Sequence, residues 1–204
     1  MGDYIMEGIG KISGGQFDTV KIEGVGNCSN DLKAENINIE GVFNCSGEIE
    51  AGMLYCEGVA NFKANIRAKK IHVEGVFNVD AFGKIEANEI VCDGVIKAKG
   101  EISTDILDAE GCIEADEIVG DKIRICSHHP KNKIINLFNR FRSKVRMIEA
   151  TTIEIYGVKS QTVNGTDITI GSNCIIENID CSGTLYIDET SSVKNITGEY
   201  NRRY

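Results

Sequence analysis

Residues 39–59 read IEGVFNCSGEIEAGMLYCEGV. Ile39-Glu40-Gly41-Val42 returns seventeen positions later as Cys56-Glu57-Gly58-Val59. The acid-glycine step also occurs at Glu23-Gly24, Glu74-Gly75, Asp93-Gly94 and Glu110-Gly111. Its glycines stand at 24, 41, 58, 75, 94 and 111, so the intervals are 17, 17, 17, 19 and 17. The single 19 fits a two-residue insertion near Ala81-Phe82-Gly83. A fixed period of this kind marks a repeat architecture and is settled before anything else.

Inside each repeat, apolar residues come in pairs two apart, the period of a strand with one buried face. Val20/Ile22, Gly26/Cys28 and Leu32/Ala34 are followed by Ile37/Ile39, Phe43/Cys45 and Ile49/Ala51. The pairs begin 6, 6 and 5 residues apart. Each repeat is therefore three short strands separated by corners. Such a chain winds into an all-β, three-sided parallel β-helix (a β-solenoid) with about 17 residues per coil. One coil cannot bury its own inner face, so coils must stack. Stacking predicts columns: Ile22, Ile39, Cys56, Val73, Cys92, Ala109 in one, Val20, Ile37, Leu54, Ile71, Ile90, Leu107 in another. Phe43 beside Cys45, Ala60 beside Phe62 and Phe77 beside Val79 keep the volume of each layer even. The corner glycines are expected to supply unusual dihedrals.

Composition fits this reading. The chain has 204 residues, 42% hydrophobic, with 22 glycines, one proline and no tryptophan. A net charge of −9 argues against nucleic acid as a partner. The opening MGDYIMEGIGKISGG has neither a basic n-region nor an apolar run. No stretch approaches the roughly 18 apolar residues of a membrane span. A cytoplasmic location is expected, with contact at the inner face of the cell membrane as an option. The eight cysteines include no CxxC pair. Cys28, Cys45, Cys56 and Cys92 fall at inward positions and read as small buried hydrophobes.

The acids Glu23, Glu40, Glu57, Glu74, Asp93 and Glu110 should form an outward ladder at about 4.8 Å per step. Like charges opposite one another are unfavourable. The ladder is read as solvated and softened by Lys21 and His72, with a cation or basic-partner stripe as the sharper alternative.

Residues 17–126 read as a main solenoid of six or more coils. The pattern then fades, and residues 127–147 read as a basic insert. SHHPKNKIINLFNRFRSKVRMI, residues 127–148, has no acid and six positive charges; without them the rest of the chain carries −15 (−9 minus 6). Ile134, Leu137, Phe138, Phe141 and Val145 follow helical spacing, with Lys133, Arg140, Arg142, Lys144 and Arg146 between them. The spacing predicts a short basic amphipathic helix interrupting the solenoid. It would fold back on the solenoid, or touch an anionic membrane surface or another scaffold protein. From 148 to 198 the cadence resumes as a second, shorter block: Ile148, Ala150, Ile153, Ile155 and Gly157 match Leu32, Ala34, Ile37, Ile39 and Gly41. The polar tail EYNRRY is expected to be disordered.

Signals for chemistry are few. Cys126-Ser127-His128-His129 groups metal-type ligands but lacks a second pair at zinc spacing. There is no phosphate-binding loop or nucleophile elbow. Neither a cofactor nor a small-molecule substrate is expected. Hexapeptide-repeat acyltransferases are three-sided solenoids with a catalytic histidine, and His72 is the one histidine inside the repeats. That enzyme reading ranks third.

VKIEGVGNCSNDLKAENINIEGVFNCSGEIEAG (residues 20–52) and IVCDGVIKAKGEI (residues 90–102) resemble bactofilins, the bacterial polymer-forming cytoskeletal proteins. The likeness lies in repeated G-V/I, G-x-I and I-x-A steps. It implies a right-handed three-sided β-helix, self-assembly without nucleotide, and a scaffold role at the cytoplasmic membrane in cell shape, envelope organisation or motility. Typical members flank one solenoid with Pro-rich tails, whereas the basic insert and second block here are extra. A solenoid end also exposes strand edges and the end of an apolar core. Self-association is therefore expected through the N-terminal end, with Phe17, Val20 and Ile22 at the contact. The rival reading is a monomeric solenoid that docks one partner.

Overall fold

The chain is described by a computed structural model covering residues 2–80, 83–127 and 143–203. Every regular element among the described residues is a β-strand, and neighbouring strands pair in parallel. The strands wind into about 11 coils of roughly 17 residues. A coil has three faces, as the strands Gly15–Ile22, Val25–Cys28 and Leu32–Ile39 show. Residues 19–22 form the first face, 25–28 the second and 32–34 the third. The long strands bend between the third and first faces: pairing runs Phe17↔Ala34 and then Thr19↔Asn36, omitting Asp18.

The columns form as the alternation requires. Ile22 pairs with Ile39, Ile39 with Cys56, Cys56 with Val73, Val73 with Cys92 and Cys92 with Ala109. All six are fully buried. Parallel sheets with both sides covered read as continuous apolar runs. Here only the inner side is covered, so the alternation survives in the sequence. On the second face the three phenylalanines zigzag between two columns. The Phe43 and Phe62 rings are 6.0 Å apart at 77°, and Phe62 and Phe77 are 5.0 Å apart at 47°.

The corner glycines work differently from the expected dihedral role. Gly24, Gly41, Gly58, Gly75, Gly94 and Gly111 are absent from the positive-φ residues, which include Gly14, Gly15, Gly157 and Gly198. Their reason is close approach. A Cβ on Gly58 would lie 2.0 Å from the carbonyl oxygen of Gly41. That oxygen accepts the Val59 amide at 2.9 Å, which locks one corner onto the next.

Two irregularities sit where the period breaks. Val79 pairs with Phe62 and Ile85 with Ile66, so six steps stand against four, and the two extra residues lie between 79 and 85. The second is larger. The turn that takes four residues from Ala109 to Ile113 takes eighteen from Ile125 to Ser143. The chain leaves from the first face and re-enters on the second, directly on the preceding coil: Glu114 pairs with Lys144 and Ala115 with Val145. Ser127 and Ser143 hydroxyls meet at 2.7 Å, and the fully buried Ser143 oxygen also accepts the Ile113 amide at 2.9 Å. A side chain thus replaces the backbone acceptor that the interrupted corner lacks.

Three expectations are corrected. The helix cannot include residues 143–146, because they open the strand Ser143–Tyr156. Val145 points into the core, and Lys144 faces out. Arg146 bonds Asp116 through Nε at 2.7 Å and Nη2 at 3.1 Å. Lys133, Ile134, Leu137, Phe138, Arg140, Phe141 and Arg142 lie outside the described residues. The tail is not free, since Asn201–Arg202 pairs with Thr184 and Leu185. Finally, the stack begins before residue 17, with Tyr4–Met6 on the first face and Ile9–Ile12 on the second.

Candidate functional site

The N-terminal rung is open on its outer side. Tyr4–Met6 pairs with residues 20–22, Ile9–Ile12 with Val25–Cys28, and Gly15 to Phe17 with Leu32 to Ala34. Among the described residues no strand lies beyond them. Tyr4 and Phe17 rings cross the end of the core, 5.7 Å apart at 65°. Met6 fills the space above Gly26, with Sδ 3.2 Å from the position a Cβ would take there. Beside this plug two large apolar side chains meet solvent, Ile5 at 61% exposure and Ile9 at 87%. The other end carries Ser192–Thr197 and Asn201–Arg202, a more polar rung whose Ile196 is partly exposed.

The sequence located this end one rung too far in. Val20 and Ile22 are fully buried beneath Tyr4 and Met6. Of the three expected residues only Phe17 belongs to the terminal rung. Tyr4, Ile5 and Ile9 were missed because YIM and IGKI are separated by the charged Glu7-Gly8 step. That step is itself the first acid-glycine corner, and it was the available signal.

The acids Glu23, Glu40, Glu57, Glu74, Asp93 and Glu110 stand at the corner between the first and second faces. The amides of Glu40 and Gly41 both donate to the Ile22 carbonyl at 2.9 Å, which fixes each acid over the one before. The carboxylates do not stand alone. Lys21 Nζ lies 2.5 Å from Glu23 and 3.0 Å from Glu40, and these bonds raise its pKa. Tyr55 donates to Glu74 at 2.7 Å, and the carboxylate drives its phenol upward from the ordinary value. His72 Nε2 lies 3.7 Å from Glu74 and 3.6 Å from Asp93. Arg124 reaches Glu110 at 3.6 Å while bonding Asp108 at 2.7 Å. Lys21, Tyr55 and His72 each stand two positions before an acid of the ladder, as the last outward residue of a strand that ends just before the acid's corner. The stripe carries its own counter-groups from Glu23 to Glu110, with Glu57 beside Tyr55.

A second ladder was not read from the sequence. Asn44 donates its amide to Asn27 at 3.1 Å, Asn61 to Asn44 at 2.9 Å and Asn78 to Asn61 at 2.8 Å. These are the outward residues between the inward pairs of the second face. The repeated asparagine between Phe43 and Cys45, Ala60 and Phe62, Phe77 and Val79 was its signal.

Cys28, Cys45, Cys56, Cys92, Cys126, Cys174 and Cys181 are buried, Cys112 is half-buried, and none of them forms a disulfide. Burial pushes the Cys56 and Cys92 thiols up to about 12. His128 and His129 lie outside the described residues. Among the described residues no group of three His, Cys, Asp or Glu side chains is arranged to hold a metal ion. No described helix is long and apolar enough to cross a membrane. Shallow clefts of about 560 and 510 Å³ follow the corner between the third and first faces, floored by Ala68, Ala87, Gly120 and Gly165. No family model matches the sequence, and neither a curated protein nor a solved structure matches it.

Proposed function

We propose that this chain is a non-enzymatic scaffold protein of bactofilin type, which self-associates by end-on stacking of its solenoid without nucleotide. The observation that carries this reading is the open N-terminal rung. Among the described residues its strands have a partner strand on one side only, and Ile5 and Ile9 lie exposed beside the Tyr4–Phe17 plug. Edges of this kind are normally covered, shortened or charged, because they template pairing with another chain. A second copy would pair that edge and cover the apolar end at once. The repeated G-V/I and I-x-A steps shared with bactofilins support the same reading. A cytoplasmic scaffold role in cell shape, envelope organisation or motility goes with it, and of the basic stretch only 131–142, outside the described residues, is left as the proposed contact with an anionic membrane surface.

Sedimentation and negative-stain imaging of the purified chain test the reading. Wild type should form dimers or filaments. Ile9→Arg, which places a charge on the open edge without touching the core, should return it to monomer. A wild-type chain that stays monomeric at high concentration would replace this reading with that of a partner-docking solenoid.

A further inference from the structure

Lys144 and Lys159 pair in register on the second face of neighbouring coils. Each is exposed between two buried residues, Ser143 and Val145 for one, Val158 and Ser160 for the other. Both side chains therefore leave the outer side of the sheet, about 4.8 Å apart. Like charges placed opposite one another are destabilising. Elsewhere the fold relieves such contacts: on the third face Lys33 bonds Glu50 and Arg67 bonds Glu86. At the corner beside this pair Arg146 holds Asp116 and Lys194 holds Glu177. Yet Lys144 and Lys159 have no ion pair among the described residues, although the chain has 31 acids to place.

The surroundings of the pair are specific to this part of the stack. Its column reads Lys97, Glu114, Lys144, Lys159 and Ile175. Glu114 offsets Lys97, and Ile175 is 39% exposed next to Lys159. The acid-glycine corners end at Glu110-Gly111, and the corner positions that follow, Cys126-Ser127 and Tyr156-Gly157, carry no charge.

We propose that Lys144, Lys159 and Ile175 form a docking patch for an anionic phospholipid bilayer. A plane of lipid phosphates is the charge complement of two stacked cations and removes the repulsion between them. An exposed isoleucine beside lysine suits the boundary between headgroups and acyl chains. A three-sided stack turns its other two faces away from a plane laid on this one, so their acids stay clear of the lipid. The patch carries the contact proposed for 131–142 onto the described coils, because residue 143 joins that stretch to Lys144. The inference rests on that membrane reading. Each lysine held near an anionic leaflet strengthens binding roughly fivefold.

Flotation of the full chain with phosphatidylcholine vesicles, with and without phosphatidylserine, tests the patch. Lys144→Gln with Lys159→Gln is compared with Lys69→Gln with Lys122→Gln, two exposed lysines off the second face that change the net charge equally. Wild type should bind only vesicles that contain phosphatidylserine and should leave them in about 0.5 M NaCl. The 144/159 variant should bind roughly twenty-fold more weakly, and the 69/122 variant like wild type. With a like-charge pair removed, the 144/159 variant should unfold in urea no earlier than wild type, which separates a lost contact from a lost fold. Equal binding by the two variants overturns the patch and leaves 131–142 as the membrane contact. A loss at 144/159 that glutamines at 131, 133, 140 and 142 do not reproduce upholds the patch and retires the reading of that stretch. Absence of wild-type binding overturns both. Binding to a DNA duplex in place of vesicles, with the same dependence on the two lysines, also overturns the proposal.

Discussion

The position a Cβ would take on Gly41 lies 2.0 Å from the carbonyl oxygen of Gly24, one coil before it. The same relation holds for Gly58 over Gly41 and Gly75 over Gly58. No rotamer change relieves such a contact, because both partners are backbone. Gly8 starts this column, and a Cβ there would meet nothing within 4 Å. Gly58→Ala should therefore cost about 1–3 kcal/mol through local overpacking. Gly8→Ala, the same corner without a coil beneath it, should be nearly neutral. Equal urea midpoints for the two variants would mean that the corners do not bear on one another in this way.

Asn61 both donates to Asn44 and accepts from Asn78. Asn61→Ala breaks two amide bonds at once on a half-buried face. At about 1 kcal/mol net for each bond, the loss should be roughly 2 kcal/mol. Asn61→Asp keeps the acceptor for Asn78 but turns a carboxylate toward the Asn44 carbonyl oxygen, so it should fall at least as far. Urea unfolding with an unchanged slope would assign both losses to the native ladder.

How far the fold was legible follows from what each residue type reports. Ile22, Ile39 and Cys56 could be placed in one column because inward alternation and a period of 17 fix both face and rung. Gly41 could be placed at a corner, but a missing side chain does not say why it is missing. Backbone approach between coils is a property of the stack and leaves no mark on one coil. Val145 was misread because a helical and a strand partner are both available to it. It follows Ile134 and Phe141 at helical spacing, yet it also leads the inward places Val145, Ile148 and Ala150. Stacking on Ala115 decided for the strand. The Asn27 to Asn78 ladder was missed because outward residues were read for charge, and amides are neutral. Pairing across a corner-to-corner gap of sixteen, as from Tyr4 to Val20, hid the first rung.

Cys56 and Cys92 stand in the column that holds Val73 and Ala109. Burial raises both thiols to about 12, from an ordinary value near 9. In the folded chain they keep their protons over a range where the unfolded chain releases them. Their contribution to stability is therefore complete below about pH 9 and is lost as the pH rises toward 12. The melting temperature should fall across that window, and Cys92→Ala should fall less steeply. At pH 8 a thiol reagent should reach half-buried Cys112 first and leave Cys56 and Cys92 untouched until unfolding. Prompt labelling of Cys56 in native protein would contradict this account.

Phe43, Phe62 and Phe77 occupy alternate columns of the second face, with Ala60 and Cys45 in the complementary places. Each ring therefore has a small residue directly above or below it and another ring on the diagonal. The double exchange Ala60→Phe with Phe62→Ala keeps the composition of the layer. It would stack three phenylalanines in one column at the strand spacing of about 4.8 Å and open a void between Cys45 and Val79. Overpacking and cavity costs then act together, so the exchange should destabilise by about 3 kcal/mol or more. Phe62→Leu alone keeps most of the volume in the right column and should cost less than the exchange. If the exchanged protein melted with wild type, burial of apolar volume alone would govern this core, and the zigzag of rings would not matter to stability.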